Sequence, residues 1–497
     1  MRVCVIGAGV SGLVTAKTFL LAGHDVVVFE KDSGLGGVWG TARAYAGLTA
    51  QNPRDTYSFS DHAMPREFPE WLTAAHVREY LHSYARRFKV FERIQFSRLV
   101  AGVRRVGEGA DARWQVRTDA VGGGEERVES FDKVLVCNGI HCTPNVPELP
   151  GREAFERGGG VVVHSSQVTE ESQLRGKRVV VVGFGKSACD LAMLGLDAGR
   201  ACTVVYRRAH WKVPSYWFGL INYKYILMAR HSEMLFRYYK MTAGERVLHS
   251  VGRPVIQLMW RAIEGYLKRR QHLAATNMLP PASMQSSANC NTSLESDGFF
   301  DAVKDGRMGA HKGEIVRYHA GAVELDNGAR VPADVVVFGT GWIEGAPFIE
   351  DRFRDRFTDS SGYIHLYRQI MHPDVPDMAF IGYNSSFHGQ LSSEIAARWV
   401  LEVYNGRVRL PGRREMLREA EAVLEWRAQE RPIGRARGTC VIPFDTHYID
   451  QLMRDMGLSP KRFGANFIKE WLMPVTAAAY EGLAEELDKV HGPVSAA

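Results

Sequence analysis

Two short apolar runs, each followed by a glycine-rich turn, are the most regular pattern along the chain. Residues 3–6 (Val-Cys-Val-Ile) lead into Gly7-Ala8-Gly9-Val10-Ser11-Gly12, and residues 179–182 (Val-Val-Val-Val) lead into Gly183-Phe184-Gly185-Lys186-Ser187-Ala188. A short apolar run that ends in glycine predicts a buried strand. Each turn is also expected to open a helix, so both segments have the strand-turn-helix order of a dinucleotide-binding fold.

The charged residues that follow the two turns differ, and the difference predicts different nucleotides. Glu30 lies eighteen residues after Gly12, at the end of the predicted strand 25–29. A carboxylate at this point binds a free ribose 2′-hydroxyl and repels a phosphate, which indicates FAD or NAD. Arg207 and Arg208 follow the second turn at a similar distance. Arginine there suits the 2′-phosphate of NADPH.

The glycines of the turns have separate roles. Gly7 permits the tight bend, Gly9 lets the backbone approach the pyrophosphate, and Gly12 lets the helix pack on the strand. The N-terminus of the helix then directs its positive end at the phosphates. The second turn has Ala188 in place of the third glycine, a substitution that the motif tolerates.

The remaining pattern predicts an α/β protein in which one nucleotide domain interrupts the other. A helix is expected at 70–88, strands follow up to residue 137, and an Asn-Gly hairpin turn lies at 327–328. A buried strand is expected at 334–342, and the tail from 413 to 487 has helical patterns. We therefore expect two Rossmann-like dinucleotide-binding domains, with the NADPH domain inserted into a discontinuous FAD domain, plus a helical insert and a helical C-terminal tail. The predicted ranges are 1–165 and 321–410 for the FAD domain, 166–320 for the NADPH domain with its insert at 207–295, and 411–497 for the tail.

Composition and charge exclude several classes of function. The 497 residues are 45% hydrophobic and 24% charged, with a net charge of +6, which gives no case for a nucleic-acid partner. No apolar run is long enough to predict a transmembrane helix, and the chain starts on a predicted strand rather than a signal peptide. Seven scattered cysteines favour a reducing compartment, and no metal-ligand spacing is present. These features predict a cytoplasmic protein.

One pair of cysteines, Cys137 and Cys142, has a spacing found in disulfide reductases that combine FAD with NADPH. In those enzymes the pair lies on a helix near the first glycine motif. Here it follows a predicted strand and precedes a proline-rich turn. We therefore expect two structural cysteines, with an NADPH-dependent flavin or disulfide reductase as an alternative function.

Residues 207–272 form a basic block. They contain thirteen Lys or Arg and three Glu, a local charge of +10, and many aromatic residues, among them Trp211, Trp217 and Trp260. Two alternatives stay open. The block is either a lid that packs on the nucleotide domains with its charges in solvent, or a site of peripheral contact with an anionic membrane surface. Residues 271–293, rich in Ser and Asn, are expected to form a return loop.

Together these motifs resemble the class B flavin-containing monooxygenases, the dimethylaniline monooxygenase-like family. The resemblance rests on the two glycine motifs, Gly36-Gly37-Val38-Trp39, Gln51-Asn52-Pro53-Arg54 and Gly339-Thr340-Gly341, and extends from residue 1 to about residue 405. It implies an enzyme in which NADPH reduces FAD and the reduced flavin takes up O2 as a C4a-hydroperoxyflavin. One oxygen atom then passes to a nitrogen or sulfur centre of a small molecule, while the protein positions the cofactors and excludes water.

The resemblance also assigns roles to individual residues. Asn52 is implied as the catalytic residue, which hydrogen-bonds the oxygenated flavin and the nicotinamide ribose; the alternative is that Asn52 only forms a turn before Pro53. The residues implied to bind the cofactors are Gly7, Gly9, Gly12, Glu30, Gly37, Trp39, Gln51, Gly183, Gly185, Ser187, Arg207, Arg208, Thr340 and Gln390. His388 and Gln390 are candidates for lining the site, with a solvent-facing loop as the alternative.

The segment between the two domains departs from the family pattern Phe-x-Gly-x-x-x-His-x-x-x-Tyr. Gly160 and His164 match, but Gly158 and Val168 stand at the Phe and Tyr positions, and Phe155 is a candidate substitute through a local shift. His164 fits a linker that fixes the domains as well as it fits direct chemistry. Because Val168 and the next residue replace the Trp-Pro or Trp-Asp of Baeyer–Villiger enzymes, oxygenation of a ketone is a weaker alternative. The oligomeric state stays open, with a homodimer as one alternative.

Overall fold

Two five-stranded parallel sheets form the frame of the protein in the computed structural model, which describes residues 1–287, 292–384, 386–429 and 445–492. The strand order of the first sheet is Met378–Phe380, Lys133–Val136, Arg2–Ile6, Asp25–Phe29 and Ile94–Gln95. The strand order of the second sheet is Val161–His164, Val335–Phe338, Arg178–Val182, Ala201–Tyr206 and Gly309–Lys312. The predicted α/β fold with two Rossmann-like units is therefore confirmed.

The first sheet forms because its central strands are apolar on both faces. Arg2–Ile6 is buried from Val3 onwards and pairs in parallel with Asp25–Phe29 and Lys133–Val136. Strands with hydrocarbon on both faces are typical of parallel sheets, which helices cover on each side. The helix Val10–Leu21 follows the first glycine turn, as predicted, and packs against a second helix, Gly389–Tyr404.

The second sheet takes two strands from ranges that the sequence placed in the first domain. Val335–Phe338 pairs on both sides within the second sheet, with Val161–His164 as one neighbour. The predicted FAD-domain ranges 1–165 and 321–410 therefore overlap the second sheet at these strands, and the chain returns to the first sheet with Met378–Phe380. A uniformly apolar strand fits the centre of either parallel sheet, so the sequence pattern could not distinguish them.

Smaller antiparallel elements complete the β-structure of the described residues. Two three-stranded sheets join Arg98–Val106 to Arg113–Ala120 and Arg127–Phe131, and Ile315–His319 to Ala322–Leu325 and Arg330–Pro332. Strand pairs join Thr49–Pro53 to Trp71–Thr73, Thr143–Pro144 to Trp342–Ile343, Lys212–Val213 to Ser293–Leu294, and Tyr216–Trp217 to Ile221–Asn222. Gly328 has a φ of +81° between two paired strands, which confirms the predicted Asn-Gly turn.

Helices surround both sheets. Those in the described residues are Val10–Leu21, Ala74–Arg87, Arg152–Arg157, Lys186–Ala198, Lys224–Leu227, Arg230–Glu233, Ala243–Ser250, Arg253–Arg270, Met284–Ser287, Phe299–Lys304, Asp351–Phe357, Gly389–Tyr404, Arg413–Gln429, Asp445–Asp455 and Leu483–His491, with a π-helical turn at Ile468–Leu472. The helix predicted at 70–88 begins only at Ala74, because Trp71–Thr73 pairs as a strand and Thr73 caps the helix. The helical tail is confirmed in its described residues, by the helices Arg413–Gln429, Asp445–Asp455 and Leu483–His491. The predicted return loop 271–293 contains Met284–Ser287, and its residues 288–291 lie outside the described residues.

The basic block packs through one face. Its three tryptophans are buried in the hydrophobic cluster that also covers the second sheet. Lys212, Lys224 and Arg230 are buried as well, so the prediction that the charges of a packed lid lie in solvent is wrong for these three. Lys224 pairs with Asp55 at 2.5 Å and Arg230 pairs with Asp450 at 2.8 Å, which offsets the cost of removing each charge from water. Among the described residues, no helix is both long and apolar enough to cross a bilayer.

Candidate active site

The first glycine turn forms a cradle whose backbone requires glycine at two positions. Gly7 has a φ of +104°, and a Cβ atom on Gly12 would lie 1.8 Å from the carbonyl oxygen of Gly7. A second glycine-rich loop meets the turn, because Gly36 donates its N–H to the carbonyl of Ala8 at 2.9 Å. A Cβ atom built on Gly9 would lie 3.6 Å from the Cα atom of Gly37. Bare backbone therefore lines this cradle on two sides.

The helices that follow the two glycine turns have uncapped N-termini. Neither Gly9, before Val10–Leu21, nor Gly185, before Lys186–Ala198, supplies a capping side chain, and neither helix has an acidic residue in its first turn. In contrast, Thr73 caps Ala74–Arg87 with its side chain. Free N–H groups and the positive end of the helix dipole make such a terminus a site for phosphate. The residues present thus suit a dinucleotide pyrophosphate at both turns.

Glu30 lies beside the first cradle, where the sequence places it. Its two carboxylate oxygens accept the backbone N–H groups of Ala8 at 2.7 Å and Asp32 at 2.9 Å. Burial raises the pKa of Glu30, and these two hydrogen bonds act in the opposite direction. A carboxylate has about four acceptor positions, so Glu30 can hold the glycine turn and still accept from a ribose hydroxyl.

The second cradle repeats the backbone geometry of the first. Gly183 has a φ of +130°, and a Cβ atom there would lie 2.4 Å from the carbonyl oxygen of Gly339, whereas a Cβ atom on Gly185 would meet nothing within 4 Å. Ala188 fills the third position and is fully buried. Ser187 is half-buried in the first turn of the helix that begins at Lys186. The predicted cofactor-binding positions of this turn therefore lie together at one helix N-terminus.

Arg207 and Arg208 stand at the carboxyl end of the strand Ala201–Tyr206, and both are exposed. Ligands of parallel sheets bind at this end of the strands. On the neighbouring helix, Lys186 pairs with Asp190 at 2.5 Å, and the hydroxyl of Tyr45 donates to the same carboxylate at 2.7 Å. Tyr45 belongs to the first nucleotide unit, so Asp190 ties the two units together.

Asn52 is buried in the strand Thr49–Pro53 and does not form a turn. Its side-chain amide donates to the carbonyl oxygen of Phe387 at 2.7 Å, across a sequence separation of 335 residues. This contact contradicts the alternative in which Asn52 only shapes the local backbone. An amide carries two N–H groups, so one remains for a ligand.

A tyrosine that sequence reasoning missed lies near two predicted cofactor residues. Burial raises the pKa of Tyr57 to about 12, and the neighbouring side chains of Gln390 and Trp39 act in the opposite direction. The rings of Trp39 and Tyr57 meet edge to face at 5.7 Å. The Oε1 atom of Gln390 is buried without a hydrogen-bond partner among the described residues, as expected of a group that awaits a ligand. The only sequence signal was an aromatic residue five positions after Asn52.

Two other predicted cofactor residues are occupied by structural contacts. The Oε1 atom of Gln51 accepts the N–H of Leu294 at 3.0 Å, and its carbonyl accepts the hydroxyl of Tyr223, so Gln51 anchors the basic block. The hydroxyl of Thr340 donates to the carbonyl of Asn145, and the amide of Asn145 donates back to the carbonyl of Thr340 at 3.3 Å. Thr340 lies next to the second cradle, but its side chain secures the link between the domains.

His164 has the position of a linker residue. Its ring is fully buried and contacts the hydroxyl of Ser166 at 2.9 Å and the carbonyl of Gly341 at 3.0 Å. Burial lowers the pKa of His164, which favours the neutral ring. Phe155 fills the missing aromatic position of the motif, since a Cβ atom on Gly160 would lie 2.4 Å from its ring. These contacts support the interpretation in which His164 fixes the domains.

His388 does not line an open site. Its Nδ1 atom lies 2.8 Å from the carboxylate of Asp445 and its Nε2 atom 3.1 Å from the carbonyl of Val475. Burial alone would lower the pKa of His388, but Asp445 outweighs it and the pKa is raised. Both ring nitrogens therefore hold the C-terminal tail, and the alternative of a solvent-facing loop is also wrong because the ring is buried. The loop that carries Phe387 is thereby fastened to the tail.

Neither cysteine of the pair Cys137 and Cys142 has the character of a redox nucleophile. Both are free thiols. Burial raises the pKa of Cys137 to about 12, and burial also raises the pKa of Cys142. Because a thiolate is the reactive form, a raised pKa counts against a disulfide reductase. Two of the seven cysteines, Cys290 and Cys440, lie outside the described residues.

Similarities to known proteins extend over nearly the whole chain. Residues 1–468 match the family model described as flavin-binding monooxygenase-like. A curated relative, the probable flavin-containing monooxygenase 1 of Arabidopsis thaliana, is 29% identical over an alignment 526 residues long, which covers 98% of this chain and 97% of the relative.

Two solved structures share the fold at lower identity. The S-allyl-L-cysteine S-oxygenase of Allium sativum has a TM-score of 0.60 at 22% identity, over 92% of this chain and 89% of that chain. The cyclohexanone monooxygenase of Rhodococcus sp. Phi1 bound to NADP+ has a TM-score of 0.68 at 18% identity, over 92% of this chain and 97% of that chain. At such low identity these likenesses establish the fold alone.

Proposed function

The chain belongs to the flavin-binding monooxygenase-like family and is a flavin-dependent monooxygenase, and from this premise we propose that it uses NADPH to insert one oxygen atom of O2 into a nitrogen or sulfur centre of a small molecule. The observation that carries the proposal is the pair of uncapped glycine cradles. Close to the loop of the first, Tyr57 packs against Trp39, and Asn52 bonds the segment that precedes Gln390. The bound flavin supplies the chemistry that passes two electrons from NADPH to O2 and releases the second oxygen atom as water.

In this proposal the chain's own residues bind, orient and exclude water. The first cradle and Glu30 hold FAD, and the second cradle with Arg207 and Arg208 holds NADPH. Gln390 offers an unpartnered amide oxygen, and the buried Trp39 packs against the half-buried Tyr57 near it. One structural neighbour is named an S-oxygenase, which makes a sulfide a natural first compound to test.

Asn52→Ala is expected to leave reduction of the flavin by NADPH intact and to lower the product formed per NADPH oxidised. Removal of one preorganised donor beside reacting atoms costs about a hundredfold in rate where it has been measured, so we expect a loss of coupling of at least about tenfold. The measurement is oxygenated product against NADPH consumed, with anaerobic flavin reduction followed separately.

Asn327→Ala is the matched control for Asn52→Ala. The side chain of Asn327 does form a turn, because its Oδ1 atom accepts the N–H of Ala329 at 3.0 Å on the surface. The control is expected to keep full coupling. If Asn52→Ala couples as well as the control does, Asn52 has a structural role only.

Arg207→Ala is expected to raise the KM for NADPH about thirtyfold and to leave the KM for NADH nearly unchanged. A charge-assisted hydrogen bond to phosphate contributes about 2 kcal/mol, which corresponds to that factor. Arg200→Ala is the matched control, because Arg200 precedes the same strand at its amino end, away from the ligand. An equal loss for both coenzymes would argue against a 2′-phosphate site at Arg207.

The substrate class can be tested with one sulfide, one tertiary amine and one ketone of similar size. The proposal expects oxygenated sulfide or amine together with NADPH consumption, and little ester from the ketone. The likeness to a cyclohexanone monooxygenase keeps ketone oxygenation as the second candidate. Ester as the main product would decide for that candidate and leave the cofactor assignments unaffected.

A further inference from the structure

The outer face of the basic block carries an unpartnered apolar stripe. In the helix Arg253–Arg270, Ile256, Trp260 and Leu267 point into the protein and are buried. On the opposite side, Val251 just before the helix, Val255 and Leu258 are 82%, 71% and 68% exposed. Their spacing of four and three residues places them on one face of a helix.

A hairpin extends this stripe. The strands Tyr216–Trp217 and Ile221–Asn222 present Phe218 and Leu220 at their tip, 66% and 84% exposed. The tip rests on the same helix, because the N–H of Phe218 donates to the hydroxyl of Tyr266 at 3.1 Å and the two rings lie 4.6 Å apart. Exposed apolar side chains of the helix and the hairpin therefore belong to one structural unit.

The C-terminal tail adds a second apolar patch that is fastened to the block. In the π-helical turn Ile468–Leu472, Ile468 is 63% exposed and the preceding Phe467 is 64% exposed. The turn is held to the block by an ion pair of 2.7 Å between Arg230 and Glu470. A protein in solution rarely exposes so much apolar surface without a partner.

The acidic residues of the block are all turned inward. Glu233 accepts the backbone N–H groups of Asp445 and Thr446, and the carboxylate of Glu245 lies 2.5 Å from the ring of His447. Glu264 accepts the N–H of Met284 at 2.9 Å. The exposed charged residues of the two helices Ala243–Ser250 and Arg253–Arg270 are all basic: Arg246, Arg253, Arg261, Lys268, Arg269 and Arg270.

A small cavity lies at the start of the same helix. Its volume is about 190 Å³, and Arg237, Arg253, Gln257 and Ser283 are among the residues that line it. Two guanidinium groups beside amide and hydroxyl groups suit a phosphate diester. The cavity therefore suits a phosphate group, and Ile256 from the buried side of the helix is among its lining residues.

We propose that this face docks the protein on an anionic lipid bilayer, with the apolar stripe and hairpin tip among the acyl chains and the exposed basic residues against the headgroups. An apolar stripe flanked by positive charge is the chemistry that such a surface selects. The inner face of the block packs on the nucleotide units, as a lid does, and in this proposal the outer face contacts the membrane. The lid and the membrane contact, which the sequence left as alternatives, therefore describe opposite faces of one block.

Vesicle flotation of the full-length protein tests the proposal without turnover. We expect binding to vesicles that contain phosphatidylglycerol and little binding to pure phosphatidylcholine. An increase in salt from about 0.1 M to about 1 M shortens the Debye length from about 10 Å to about 3 Å and is expected to release the protein. Equal binding to both vesicle types, or no binding to either, would overturn the proposal and leave the assigned monooxygenase function untouched.

Leu258→Glu and Leu21→Glu form a matched pair, because both leucines are helical and similarly exposed, at 68% and 64%. Leu258→Glu is expected to lower vesicle binding at least about tenfold by removing an apolar contact with the bilayer, with flavin content unchanged. Leu21→Glu is expected to bind as the unmodified protein does. An equal loss in both variants would contradict the assigned face. If Leu258→Glu instead abolishes a dimer seen by light scattering, the face binds a second copy of the chain.

Discussion

Gly9→Ala is expected to give a folded protein that carries almost no flavin. Gly9 has φ −81° and ψ −169°, an extended conformation that alanine adopts freely. The added Cβ atom would lie 3.6 Å from the nearest heavy atom, an ordinary contact. The apoprotein therefore tolerates the methyl group, but the methyl group stands where the backbone must approach the pyrophosphate.

The expected loss of affinity follows from the hydrogen bonds that the methyl group prevents. Two charge-assisted bonds from backbone N–H groups to a phosphate contribute about 3 kcal/mol or more, which is about a hundredfold in Kd. The measurement is the ratio of flavin to protein absorbance after purification, with circular dichroism to confirm folding. Full flavin content in Gly9→Ala would mean that the pyrophosphate lies elsewhere.

Gly34→Ala provides the control for Gly9→Ala, because a Cβ atom there meets nothing within 4 Å and the residue is exposed on the neighbouring loop. It is expected to keep its flavin. Gly12→Ala would be less informative, since its Cβ atom would collide with the carbonyl of Gly7 and disturb folding itself.

Gly185→Ala is expected to raise the KM for NADPH about a hundredfold while the flavin content stays normal. Gly185 has φ −71° and ψ 177°, and its Cβ atom would meet nothing within 4 Å, so the protein alone gives no reason for glycine here. As for Gly9→Ala, the loss of two hydrogen bonds to phosphate corresponds to a change of about a hundredfold. The measurement is the dependence of anaerobic flavin reduction on NADPH concentration.

The Gly9→Ala and Gly185→Ala variants also serve as controls for each other. Gly9→Ala should lose flavin, and Gly185→Ala should keep flavin and lose only its response to NADPH. If Gly185→Ala also loses flavin, the two cradles do not hold separate cofactors. If Gly185→Ala reduces its flavin normally, the nicotinamide coenzyme does not bind at the second helix N-terminus.

Much of the cofactor framework could be predicted from sequence because it is local. Gly7, Gly9 and Gly12 lie within six consecutive residues, which run from the end of the strand Arg2–Ile6 into the first turn of the helix Val10–Leu21. Their backbone roles can therefore be predicted from this short segment alone. Glu30 needed only the next strand of the same unit. The sequence of such a short motif predicts its backbone geometry, because few backbone conformations join a strand to a helix through such a turn.

Contacts between distant segments could not be predicted in this way. Phe387 lies 335 positions from Asn52 and still accepts its amide hydrogen bond. Tyr57 packs against Trp39 and lies near Gln390, and His388 fastens the tail. No periodicity relates these residues, since their proximity depends on how the helix Gly389–Tyr404 packs on the helix Val10–Leu21.

The sequence by itself determined the two glycine turns and the excess of positive charge in residues 207–272, and it predicts FAD at the first turn and NADPH at the second. The tertiary structure alone decided that Val335–Phe338 belongs to the second sheet, that Gln51 and Thr340 hold structure, and that the acidic residues of the block face inward. The reason is physical. Conformational preference and charge belong to each residue along the chain, whereas burial and the partner of each polar group exist only after distant segments have packed.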